Sequence, residues 1–126
     1  MPLLILNIKQ AAMAYSEKLA GRIRESLAAL SNVEEKEMFR GLTFMVDKKM
    51  CVSVSGEEML CRFDPALQET VAEKNGFRPM LMKGRELKGY GYVSPEAIRL
   101  NKDFTYWVNL CLEFNSRAKA AKKKKK

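Results

Sequence analysis

Three thiols and one pair of carboxylates are the side chains of this sequence best suited to covalent or acid–base chemistry. Cys51, Cys61 and Cys111 are the natural nucleophiles. A catalytic cysteine normally draws its thiolate character from a neighbouring histidine, and the 126-residue chain has no histidine. That absence also excludes histidine-based triads, histidine-containing zinc sites and the zincin helix. The cysteines are odd in number and show no C-x-x-C spacing, so the expectation is three reduced, buried thiols in a cytoplasmic protein. Glu35 and Glu37 share one strand face, as the two carboxylates of a hydrolase would. Glu34 and Lys36 line the other face, however, which marks a solvated strand and not the desolvated cleft that splits two carboxyl pKa values. Gly89-Tyr90-Gly91 followed by Ser94 has the opening spacing of a dinucleotide fingerprint, but the third glycine and the βαβ setting are missing. Those glycines are better read as relief for a twisted strand. No phosphate-binding P-loop and no G-x-S-x-G elbow occur. The chain is therefore expected to be non-enzymatic, with no metal and no cofactor. The enzymatic alternative rests on Arg85, Lys88 and Glu58 meeting around a cleft.

Residues suited to binding are easier to find. Met38-Phe39-Arg40-Gly41-Leu42 and Lys83-Gly84-Arg85-Glu86-Leu87-Lys88-Gly89 both mix glycine, a cation and an apolar residue in a turn. Loops of this make bind acidic partners or serve as ordinary turns. Phe39, Arg40, Gly41, Arg85 and Lys88 are the candidate partner-binding residues. A second kind of site lies in the charge distribution. The chain carries 23 Lys and Arg against 15 Asp and Glu. Arg117, Lys119 and Lys122 to Lys126 supply most of that excess, leaving a nearly neutral body and a basic end. The run Lys122, Lys123, Lys124, Lys125, Lys126 repels itself and stays solvated. It serves solubility, or it grips nucleic acid without reading sequence, since no aromatic is interleaved to stack on bases.

These residues need a frame, and the sequence supplies one. Hydrophobic residues make up 47% of the chain, enough for a core in one domain. No stretch nears the roughly 18 apolar residues of a membrane span. Ser16 caps a helix whose stripe Leu19, Ile23, Leu27 and Leu30 runs to about Leu30. Charge-dense Val33 to Phe39 suits an edge strand. Leu42 to Val46 and Met50 to Ser55 form a hairpin around Asp47-Lys48-Lys49, and Glu58 to Phe63 adds a strand with Met59, Cys61 and Phe63 on one face. Asp64-Pro65 starts a helix with Leu67 and Val71 inward, and Asn75-Gly76 ends it. Pro79 to Met82 and Leu87 to Val93 flank a loop, Lys83 to Glu86. Ser94-Pro95-Glu96 opens a helical turn, and a last helix after Asn101 presents Phe104, Trp107, Val108, Cys111 and Phe114. The predicted class is α+β: a mostly antiparallel sheet of five to six strands, ordered helix–strands–helix–hairpin–helix.

Met38, Met45, Met50, Met59, Met80 and Met82 all fall in these strands, as adaptable core filling or as a soft surface for a partner. Trp107 reads as a core anchor. Residues 1–12, with Leu3-Leu4-Ile5-Leu6, are too short in apolar run and lack the leading basic residue of a signal peptide. They read as an N-terminal extension before Met13, with a folded body over 13–116 and a basic disordered tail over 117–126.

The segments Met13-Ala14-Tyr15 through Arg24, Glu35 through Val46, Gly84 through Val93 and the Trp107-Val108 helix together resemble the N-terminal domain of TfoX/Sxy-type competence regulators. Arg40 stands where that family usually has the first glycine of its turn, and Glu86-Leu87 where Pro-Met is common. The resemblance implies a fold like that of the secretion chaperones and a link to transcriptional control of DNA uptake. It implies action through a transcription-related protein or nucleic acid, and a homodimer is compatible with it. The alternative is a stand-alone protein- or ligand-binding module using the methionine-rich sheet face.

Overall fold

The computed structural model describes residues 15–38 and 40–118. Phe39, the extension 1–12 and the lysines 122–126 lie outside the described residues. Helix α1 spans Glu17–Ser26, and the Ser16 hydroxyl accepts from the Leu19 amide at 3.1 Å, as a capping serine should. Leu19, Ala20 and Ile23 are buried along its inner face. The helix stops before Leu30, earlier than its apolar stripe suggests. Leu27 already leaves helical geometry, the Ala28 and Leu30 amides bond three residues back, and Leu30 is exposed. The last leucine of the stripe finds nothing to pack on, because the chain must turn there to enter the sheet.

Six strands follow: β1 Val33–Met38, β2 Gly41–Val46, β3 Lys49–Ser55, β4 Glu58–Arg62, β5 Phe77–Met82 and β6 Arg85–Val93. They form one sheet, ordered β1-β2-β3-β4-β6-β5, in which every pairing is antiparallel. The α+β class expected from the sequence is the one observed. β1 is an edge, with five of its six residues exposed; Glu35 there takes two hydrogen bonds from Arg24 at 2.6 and 2.8 Å. Those bonds hold its carboxyl below the ordinary range, which gives Glu35 a structural task on a solvated strand. Between β4 and β5 the chain makes a 3₁₀ turn, Pro65–Leu67, and a short helix α2, Gln68–Ala72. The Asp64 carboxylate caps that turn through the Ala66 amide at 2.9 Å and takes a second bond from Arg117 at 3.1 Å. Arg117 also bonds Glu113 at 2.8 Å, so this first cation of the basic end is tied to the body. After a 3₁₀ turn at Pro95–Ile98, helix α3 spans Asn101–Asn115.

Both hairpin turns are shorter than expected. Asp47-Lys48 and Lys83-Gly84 each adopt positive φ at both residues, the two-residue geometry that matches strand twist. Lys49, Arg85 and Glu86 consequently belong to strands and not to loops.

The main core lies between the sheet and the helices. Phe44, Val52, Val54, Met59 and Cys61 from the sheet, with Phe63 just after β4, meet Ile23 of α1, Val71 of α2, and Trp107 and Cys111 of α3. Phe77 lies parallel to Trp107, with ring centres 6.0 Å apart, and edge-on to Phe63 at 5.9 Å. A Cβ on Gly91 would sit 2.2 Å from the Phe77 ring. That explains one glycine of the Gly89-Tyr90-Gly91 run: it lets an aromatic ring lie on the strand, and no nucleotide enters the explanation. A second, smaller cluster contains Met50, Leu60 and Met80 with Met45, Leu87, Tyr90 and Tyr92 around them. All seven come from strands, and strand alternation places them on the sheet side away from the helices.

Candidate functional site

The three cysteines are buried and free. Burial pushes the Cys51 thiol up, and a hydrogen bond with Cys61 together with complete burial holds the Cys111 thiol well above its ordinary value. A thiol in this state is a small apolar side chain and a poor nucleophile. Glu58 is likewise committed. It accepts a forked bond from Arg78, at 3.1 Å to each oxygen, on the sheet end opposite the Arg85 turn. Glu58, Arg85 and Lys88 thus do not gather around one cleft.

The two turn regions singled out in the sequence also stand apart. Met38 pairs with Gly41 at the sheet end where β3 finishes and β6 finishes, while Met82 pairs with Arg85 at the other end. β1 and β5 are moreover the two opposite edges. Five strand spacings of about 4.8 Å separate them, roughly 24 Å across the sheet. They are diagonal corners of the molecule, so they form two surfaces.

At the first corner Arg40 is exposed with φ of 59°, a left-handed conformation that disfavours a side chain. Gly41 is buried, and a Cβ there would fall 1.9 Å from the Val54 carbonyl oxygen. Its glycine serves the close approach of β2 to β3. The strain at Arg40 gives a direct expectation: Arg40→Gly should stabilise the fold by about 1 kcal/mol, read as a higher urea midpoint at unchanged slope.

The second corner exposes apolar side chains. Leu81 and Met82 are 61% and 48% exposed, the first of these the most open large apolar side chain among the described residues. The sequence left Met82, with the other strand methionines, as core filling or as a soft surface, and its exposure excludes the first. A register shift between Pro79 and Leu81 breaks the alternation and turns the tip outward. Alternation along β6 sets Arg85 beside Leu87 on one side and Glu86 beside Lys88 on the other. Met82 lies directly opposite Arg85, and Leu81 opposite Glu86. Arg78, half exposed and 4.4 Å over the Tyr92 ring, continues the cationic side up the sheet. A shallow cavity of about 390 Å³ lies there, lined by Arg78, Pro79, Met80, Leu81 and Tyr92. Sequence reasoning named Arg85 and did not anticipate the exposed Leu81 and Met82 beside it.

A further cavity of about 420 Å³ lies between α1 and the start of α3, lined among others by Lys18, Arg22 and Arg99. Arg22 is engaged in holding the fold: it donates to the Ile98 carbonyl at 2.7 Å and covers the Phe104 ring at 4.1 Å.

The sequence pattern of the TfoX N-terminal domain matches residues 25–115. The chain belongs to the TfoX N-terminal domain family. The matched stretch runs from the last turn of α1 to the last residue of α3, and so contains the whole sheet and both corners. The segment Met13 to Arg24, part of the resemblance seen in the sequence, precedes it. No curated protein and no solved structure matches the chain. Among the described residues, no helix is long and apolar enough to cross a membrane.

Proposed function

We propose that this TfoX-type domain acts by binding and not by catalysis, engaging a transcription-related protein in the control of DNA uptake. Membership in the TfoX N-terminal domain family over residues 25–115 carries the reading. The burial of all three thiols, which pushes Cys51 and Cys111 up, and the Glu58 carboxylate held by Arg78 support the non-catalytic half of it. The exposed hairpin tip supports the binding half, because large apolar side chains left in water next to cations mark interaction surfaces. Lys122 to Lys126 add a second, sequence-blind grip on nucleic acid.

The test is genetic. In the cells that encode this chain, deleting its gene should lower transcripts of the DNA-uptake genes several-fold. The wild-type gene should restore them, and a gene encoding Arg85→Glu should not. Unchanged transcripts in the deletion strain would defeat the transcriptional reading and leave a binding module with another task.

A further inference from the structure

We infer that the Met82–Arg85 side of the β5–β6 hairpin is a docking surface for an acidic, apolar-anchored peptide segment of another protein. The inference rests on the binding role proposed above and names the chemistry of the partner.

Charge is the first argument. Residues 77–93 carry Arg78, Lys83, Arg85 and Lys88 against Glu86 alone. Lys83 in the turn and Arg85 on the Met82 side are exposed, and none of the ion pairs among the described residues involves them; Lys88 lies beside Glu86 on the other side. Unpaired cations beside an apolar step match carboxylates flanking an apolar anchor. The segments of this chain outside the described residues are the wrong occupants on the same ground. Residues 1–14 carry Lys9 and no carboxylate, and residues 119–126 carry only lysines as charged side chains.

The apolar step is the second argument. Met82 is 48% exposed, directly across the hairpin from Arg85, and Leu87 beside Arg85 is half-buried against the methionine–tyrosine cluster. A methionine is pliable enough to close around varied apolar side chains. Nucleic acid has no use for such a step. It would instead need open aromatic faces for stacking, and here Arg78 already lies over Tyr92 and Arg62 over Tyr90.

The mode of docking follows from the strand itself. β5 is an edge, yet Pro79 offers no N–H for an added strand. Side chains at the tip therefore supply the recognition, and the cavity beside Arg78 and Leu81 accommodates the segment beyond its anchor.

A phage-displayed library of random 12-residue peptides, panned on the full chain, tests this. The enriched peptides should carry several Asp or Glu around a Leu, Met or aromatic residue. A synthetic, fluorescein-labelled copy of the best one should lose at least tenfold in affinity to Lys83→Glu/Arg85→Glu and to Met82→Asp. Glu86→Lys, on the opposite side of the hairpin, should leave binding within about twofold. All four positions are exposed, and circular dichroism confirms that each variant folds. Three results would overturn the inference: no acidic enrichment, equal loss in Glu86→Lys, or duplex DNA binding the tip more tightly with the same residue dependence. Self-association abolished by Arg85→Glu would overturn it too, since the occupant would then be a second copy. Peptide binding that survives while uptake transcripts stay unchanged in the deletion strain would refute only the transcriptional role.

Discussion

Replacing Gly41 by alanine should destabilise the domain by about 3 kcal/mol or more, lowering the melting temperature by more than about 10 °C. The added methyl group would meet the Val54 oxygen at 1.9 Å, the Val54 carbonyl carbon at 2.9 Å and the Ser55 Cα at 3.0 Å. All three atoms are backbone, so no rotamer change relieves the contact. Either β2 parts from β3, with the loss of pairing around Leu42 and Val54, or the chain accepts severe angular strain. Gly21 is the control. Nothing lies within 4 Å of a Cβ placed there, and it sits in α1. Gly21→Ala should therefore be neutral or stabilise by up to about 1 kcal/mol, since alanine is the better helix former. Thermal melts followed by circular dichroism decide both. A Gly41→Ala protein melting within about 2 °C of wild type would show that the sheet yields where the packing says it cannot.

Trp107→Ala should cost about 3–5 kcal/mol, as expected for emptying an aromatic site in a closed core. Trp107 is 3% exposed and belongs to a run of rings that joins three segments apart in sequence. Phe63 follows β4, Phe77 opens β5, and Trp107 comes from α3, with Tyr106 edge-on at 5.2 Å. Removing the indole takes away the ring stacked on Phe77 and leaves Phe77 against Gly91 and the edge of Phe63. Trp107→Phe keeps an aromatic ring in the site and should retain more than half of the lost stability. Urea unfolding measures both, and a cost under about 1 kcal/mol for Trp107→Ala would mean that α3 closes over the gap.

Much of this architecture was legible because the relevant rules are local. Ser16 and Asp64-Pro65 announce their helical starts through capping chemistry, and the alternation of Met59, Cys61 and Phe63 fixes which way β4 faces. The glutamates of β1 declare an edge before any pairing is known. What stayed hidden depends on contacts between distant residues. The end of α1 is set by the return of the chain into β1, which no periodicity in Leu19 to Leu30 records. The role of Gly41 lies in Val54, thirteen residues further on, and the role of Gly91 lies in Phe77. The separation of the two corners follows from β5 pairing outside β6, a choice of strand order that composition does not encode. For the same reason the exposure of Met82 was not legible: the register slips by three residues between the Pro79–Gly91 and Leu81–Glu86 pairs, so the alternation of β5 and β6 does not carry through to the tip.

The opposite edges of the sheet have a kinetic consequence. β1 bears three glutamates and one lysine, and the β5–β6 hairpin bears four cations and one glutamate. Facing edges of opposite sign give a nearly neutral body a transverse dipole moment. An anionic molecule drifting towards it exerts a torque that swings the hairpin forward before collision. Association should then be hastened by alignment, and added salt should slow the encounter far more than it shortens the lifetime of the complex once formed.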